Sequence, residues 1–169
     1  MKIIEAMKRI KELLGKVEDL KVKVKDHSAD ADFETPVYPD QAGQVKEWVQ
    51  SIRDTLFEVE MLRFRIQKTN LLTPVTIVVQ DKEVTKSIAQ WIHRRRDLAN
   101  HEMQAWSYLT DRGIREGTIK QSNGVEREIK IRRYYDPKER DKRIEQLKSE
   151  PSLIDARLEV INAITDLLE

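Results

Sequence analysis

The sequence predicts a mainly α-helical protein, a bundle of about five long helices carrying one or two small β-hairpins, and three observations support this. Charged residues make up 36% of the chain and hydrophobic residues 39%, with five glycines and five prolines in 169 residues. That composition departs from the globular average toward solvated helices. Apolar residues recur at three- and four-residue steps over long stretches, the period of a helix with one buried face. Two short β-branched runs interrupt the pattern beside turn-forming residues. The length suits one helical domain, residues 1–169, with hairpin insertions near 74–85 and 117–135.

The first helix is expected over residues 2–26, where Ile3, Ile4, Met7, Ile10, Leu13, Leu14, Val17 and Leu20 form the stripe. A polar stretch from His27 to Pro36 ends it and reads as a mobile loop, and Pro39-Asp40 opens a second helix that fades at Thr69-Asn70. In that helix Val45, Trp48, Val49, Ile52, Leu56, Val59, Leu62 and Ile66 share a side. The run Pro74–Val79 can turn at residues 80–83 into Val84-Thr85, a small hairpin. A third helix is expected over residues 86–112, with Gly113 as its left-handed stop. Strands at 118–121 and 125–135 flank Ser122-Asn123-Gly124, and Asn-Gly between such runs is a strong hairpin signal. Asp136-Pro137-Lys138-Glu139 combines a cap residue, proline in the first turn and an acid three residues on, and so starts a fourth helix running to about Lys148. After Ser149-Glu150-Pro151 a fifth places Ile154, Leu158, Ile161, Ile164 and Leu168 on a seam.

Thirty-one basic against thirty acidic residues leave a net charge of +1, so any attraction for an anion must be local and nucleic acid is not an expected partner. There is no cysteine, which excludes disulfides, thiolate metal sites and a thiol nucleophile. No apolar run is long enough for a signal peptide or a membrane span, so the expectation is a cytoplasmic protein with no membrane partner. The long apolar stripes of the first two helices exceed what one hairpin hides, which predicts a homo-oligomer.

The segments EWVQSIRDTLFEVEMLRFRIQKTN (47–70), VTIVVQDKEVTKSIAQWI (75–92) and KIRRYYDPKERD (130–141) resemble a septicolysin-like family of small helical bacterial proteins whose activity is not established. The resemblance covers most of the chain. It implies a helical fold and assigns no functional residue.

Candidate sites come instead from polar groups placed against expectation. Arg95 follows Ile92 by three and precedes Ala99 by four, and Arg63 follows Val59 by four and precedes Ile66 by three, with Asn70 four beyond. At regular helical pitch both arginines fall on apolar stripes. A buried guanidinium needs a carboxylate, a carbonyl or a bound anion; Glu60 and Glu102 are internal candidates, and an anion pocket between helices, with Trp91 beside it, is the alternative. Alternation over Lys130-Ile131-Arg132-Arg133-Tyr134-Tyr135 gives each strand face an arginine and a tyrosine. Arginine for phosphate and a ring for a base suit a nucleotide; a half-exposed hairpin whose arginines pair with Glu126 and Glu128 explains the same residues. Asp136, as a cap, competes for the amides a phosphate would use.

Arg96-Asp97-Leu98-Ala99-Asn100-His101 resembles the Arg-polar-x-x-x-His motif of HEPN ribonucleases, which implies that Arg96 and His101 act on a scissile phosphate. Five residues apart, the two diverge by about 140° on a regular helix. His93, Asp97 and His101 stand at four-residue steps, yet without a Glu-x-x-His pair they read as a solvated face, so no metal and no cofactor are expected. Three functions stand side by side. The first is a non-enzymatic, oligomeric capture protein for a small anionic, nucleotide-like ligand, using Arg63, Asn70, Trp91, Arg95, Arg132, Arg133, Tyr134 and Tyr135, in the manner of a phage anti-defence sponge for a signalling nucleotide. The second is a ribonuclease using Arg96 and His101, and the third is a protein-interaction scaffold.

Overall fold

The computed structural model describes residues 1–169. The chain divides into two compact units, one made of Met1–Thr73 with Leu158–Glu169 and the other of Pro74–Arg157.

In the first unit α1 (Ile3–His27) and α2 (Gln41–Leu72) form an antiparallel pair. The Gln41 amide donates to the His27 carbonyl at one end, and Arg9 meets Glu58 at 3.1 Å further along. Of the stripes read from the sequence, Leu13, Val17 and Leu20 on α1 and Trp48, Val59 and Leu62 on α2 are buried, whereas Met7, Val49 and Leu56 are exposed. Each such side chain contributes about 1.5–3 kcal/mol when fully buried. The Asp40 carboxylate caps α2 by accepting from the Gly43 amide at 2.8 Å. A Cβ at Gly43 would lie 2.2 Å from that carboxylate, so the cap and the glycine go together. His27, Tyr38 and Trp48 hold their rings 5.4–5.6 Å apart, centroid to centroid, and bring the ends of the α1–α2 loop together. Residues 1–3 and 165–167 also meet in this unit. The Ile3 amide donates to the Thr165 carbonyl at 3.0 Å, the Leu167 amide to Met1 at 2.9 Å, and the Lys2 ammonium reaches Asp166 at 2.6 Å. That ammonium holds the Asp166 carboxyl below its ordinary pKa.

The second unit opens with β1 (Pro74–Val79) and β2 (Lys82–Ser87), antiparallel and joined by Gln80-Asp81. Both loop residues have positive φ, 53° and 63°, the two-residue turn whose twist suits a hairpin. Ser87 caps α3 (Ile88–His93) by accepting from the Gln90 amide, while the Gln90 side chain returns to the Ser87 amide at 2.8 Å. A π-helical turn, Arg94–Leu98, joins α3 to α4 (Ala99–Ser107), and the three form one helical rod. The rod ends before the expected residue 112: Arg112 and Gly113, with φ 57° and 74°, belong to a turn beyond it. The second hairpin, β3 (Gly117–Lys120) with β4 (Glu126–Ile129), closes round Asn123-Gly124 as predicted. Its second strand stops at Ile129, not near 135. Past that point the Ile131 amide turns to the Glu116 carboxylate, and Arg133 and Tyr135 turn to Asp111. Glu126 and Glu128 pair with Lys120 and Lys130, not with the arginines.

Residues 137–164 form one helix, α5 (Pro137–Ile164), with Pro151 inside it. The rods therefore number four, not the five expected. An internal proline costs about 3 kcal/mol through a lost hydrogen bond and a clash with the preceding turn. Leu147 and Ile154, on either side of Pro151, are fully buried, and Glu150 is held by Arg94 and Gln80. Burial of two such side chains at about 1.5–3 kcal/mol each offsets the proline. No helix is long and apolar enough to cross a membrane.

Candidate functional site

Four of the eight expected ligand residues come together in the second unit. A cleft of about 460 Å³ lies between the turn after α4 and the segment after β4, lined by Thr110, Asp111, Arg112 and Ile114 on one side and by residues 130–135 on the other. Asp111 organises it. Its carboxylate accepts from Arg133 twice, at 2.8 and 2.6 Å, and from the Tyr135 hydroxyl at 3.1 Å. Arg140 of α5 lies 5.5 Å over the Tyr135 ring and donates to the Leu109 carbonyl at 2.9 Å. Arg133 and Tyr135 are thereby fixed as walls. Lys130 pairs with Glu128, whereas Arg112 and Arg132 have no carboxylate partner, and Tyr134 is 89% exposed. The expected cap is present too: the Lys138 amide donates to Asp136 at 2.9 Å, so the start of α5 is already occupied by an anionic group.

The Arg133 guanidinium, helped by the Tyr135 hydroxyl and opposed by partial burial, holds the Asp111 carboxyl below the usual carboxylate range. A depressed carboxylate contributes stability above its unfolded pKa, about 3.9, and loses it as pH falls through the lowered folded value. The melting-temperature gap between the wild type and Asp111→Asn should therefore stay constant from neutrality down to about pH 5 and close in stronger acid. Thermal melts across that range measure it, and a gap that widens on acidification would contradict the pairing.

The remaining expected residues lie elsewhere. Arg63, predicted inward, is exposed on α2, at the rim of a surface groove with Leu14, Leu56 and Phe64. The buried face of α2 runs through Thr55, Val59, Leu62 and Thr69, and the position after Leu62 turns about 100° away from it. Asn70 is half-buried on the same helix, its Oδ1 shielded and without a hydrogen-bond partner. Trp91, expected beside a ligand, is wholly buried; its indole N–H donates to the Val75 carbonyl at 2.9 Å and its ring carries the Lys86 ammonium 5.2 Å away. It ties α3 to β1.

Arg95 is likewise corrected: it is half-exposed and pairs with Asp155 of α5. Arg94 takes the inward place. The π turn is the cause, since the Ala99 amide donates to the Arg94 carbonyl, five residues back. One extra residue in the turn aligns Arg94, not Arg95, with buried Ala99 and Trp91. Arg94 grips Glu150 with Nε at 2.5 Å and Nη2 at 3.0 Å, and Glu102 at 2.6 Å. Gln80 adds a hydrogen bond to Glu150 at 3.2 Å and accepts one from Arg143 at 2.8 Å. Those contacts push Arg94 further above its ordinary pKa, the Glu150 hydrogen bond first among the causes. This network floors a second cleft of about 390 Å³ that reaches Lys86 and Trp106. Arg96 and His101 are both exposed, and neither side chain has an ion pair or hydrogen bond that would assemble a catalytic pair.

A crystal structure of a functionally unknown conserved protein from Corynebacterium diphtheriae is similar to this chain over 99% of each, with 19% sequence identity and a TM-score of 0.56, a likeness of fold. No curated protein matches the chain. The model of the family of unknown function DUF6847 matches residues 11–167, nearly the whole length, and the chain belongs to that family.

Proposed function

We propose that the protein is a non-enzymatic binder that captures a small anionic, nucleotide-like ligand in the cleft between residues 110–114 and 130–135. The observation that carries this reading is the pair of arginines without carboxylate partners, Arg112 and Arg132, beside the bare ring of Tyr134. Guanidinium groups match phosphate oxygens in a planar, bidentate way, and an aromatic face accepts a base by stacking. Arg133 and Tyr135 are held in advance by Asp111, which lowers the ordering cost of binding. Arg63, Trp91 and Arg95 have no part in it. Capture without turnover suits sequestration of a signalling nucleotide, the use a phage would make of it against host defence.

Thermal shift and titration calorimetry with orthophosphate and with mono-, di- and cyclic nucleotides test the proposal. A ligand that binds only the folded chain raises its melting temperature. Arg132→Ala should weaken binding of the responding ligand by about 1.5–3 kcal/mol, the worth of a hydrogen bond to a charged group. No response from the wild type, or equal binding by Arg132→Ala and Tyr134→Ala, would overturn the assignment.

A further inference from the structure

The solvent side of α2 carries a second inference, independent of the cleft. Phe57, Met61, Phe64, Lys68 and Leu71 follow one another at alternating steps of four and three residues, the repeat of a coiled-coil seam. They lie opposite Trp48, Thr55, Val59, Leu62 and Thr69, the face that α2 buries. Phe57, Phe64 and Leu71 are 64%, 60% and 64% exposed, and Met61 44%. Scattered apolar residues on a surface need no explanation, but a contiguous stripe at heptad spacing does.

The charges beside the stripe are ordered so that they complement themselves. In heptad terms Arg53 and Glu60 take the g positions on one flank, and Glu58 and Arg65 the e positions on the other. In a parallel pair of helices each g residue meets an e residue of the opposite helix, and such pairs set partner and orientation. Arg53 then faces Glu58 of a second copy and Glu60 faces its Arg65, each twice by symmetry. Arg53 and Glu60 have no ion pair within the chain. Arg65 commits only Nε, to the Leu168 carbonyl at 3.1 Å, and Glu58 only Oε1, to Arg9 at 3.1 Å. Each keeps further polar atoms without a partner in the chain. Lys68 has its ammonium drawn to the Glu169 backbone carbonyl, and Asp54 takes the equivalent position two turns before Met61; polar residues at such positions fix register.

We propose that the protein self-associates through α2, two copies lying parallel and in register, with Phe57, Met61, Phe64 and Leu71 each against its own counterpart. The absence of native cysteine makes the test clean. Met61→Cys and Leu71→Cys are made separately, oxidised with diamide and run on non-reducing gels, while light scattering gives the mass of the untreated wild type. The expected result is a particle of twice the chain mass, with both variants cross-linking to dimer. An antiparallel pair has one dyad across the helix and cannot bring both positions to their own copies. Phe64→Glu, its helix content checked by circular dichroism, should weaken association at least about tenfold, the equivalent of roughly 1.4 kcal/mol. A monomeric wild type, or a dimer in which either cysteine stays reduced, overturns the proposal.

Discussion

Replacing Glu150 by alanine is expected to lower the free energy of unfolding by about 3–5 kcal/mol, because it strips a mostly buried guanidinium of its principal partner. Glu150 is 4% exposed, and Arg94 spends two of its donors on it. The substitution also deprives Gln80 of its acceptor. Arg94 keeps Glu102 at 2.6 Å, which places the loss toward the lower end of that range. The instructive companion is the double replacement Arg94→Met with Glu150→Leu. A buried ion pair exchanged for apolar groups of similar volume is often neutral or stabilising, since both desolvation penalties vanish together. Urea denaturation of the two variants beside the wild type reads these values. A loss under about 1 kcal/mol for Glu150→Ala would mean that water reaches Arg94 and that the network is not dry.

Trp91→Ala should cost about 3–5 kcal/mol, the usual range for emptying a buried aromatic site. The side chain is fully enclosed, and its indole N–H donates to the Val75 carbonyl; losing that hydrogen bond adds to the cavity cost. Trp91→Phe keeps most of the volume and loses the donor, so its cost should be nearer about 1–2 kcal/mol. Chemical denaturation separates the two. The same Trp91→Phe variant should bind the responding anion as the wild type does, which distinguishes a packing residue from a ligand residue. A selective loss of binding with unchanged stability would restore Trp91 to the site.

Local chemistry was the legible part of this chain. The caps at Asp40 and Asp136 and the Asn123-Gly124 turn each rest on one residue type meeting one backbone need, and each is found in place. The grouping of Arg132, Arg133, Tyr134 and Tyr135 was legible for a simpler reason, since the four are consecutive. Their arrangement was not: Asp111, some twenty residues earlier, reaches Arg133 and Tyr135 only because the strand ends early. The inward arginine was misplaced by a single residue, since counting at 3.6 residues per turn cannot register a π turn that inserts one more. Pro151 misled in the opposite direction. A local rule against proline inside helices was outweighed by buried neighbours that no window of sequence displays. Arg63 failed on a broad stripe, where the centre of the buried face, at Leu62, lay one position from where its apolar edges suggested.

The meeting of Met1 and Lys2 with Thr165, Asp166 and Leu167 has a consequence in time. Residues 1–73 leave the ribosome well before the rest of their unit, and the backbone bonds that seal it wait for residues 165–167. All of Pro74–Arg157 emerges in between, a delay on the order of ten seconds at ordinary synthesis rates. During that interval the middle of the chain, contiguous in sequence, has every segment it requires, while the paired helices ahead of it stay unsealed. Nascent-chain proteolysis would show the second unit gaining protection before the first is complete.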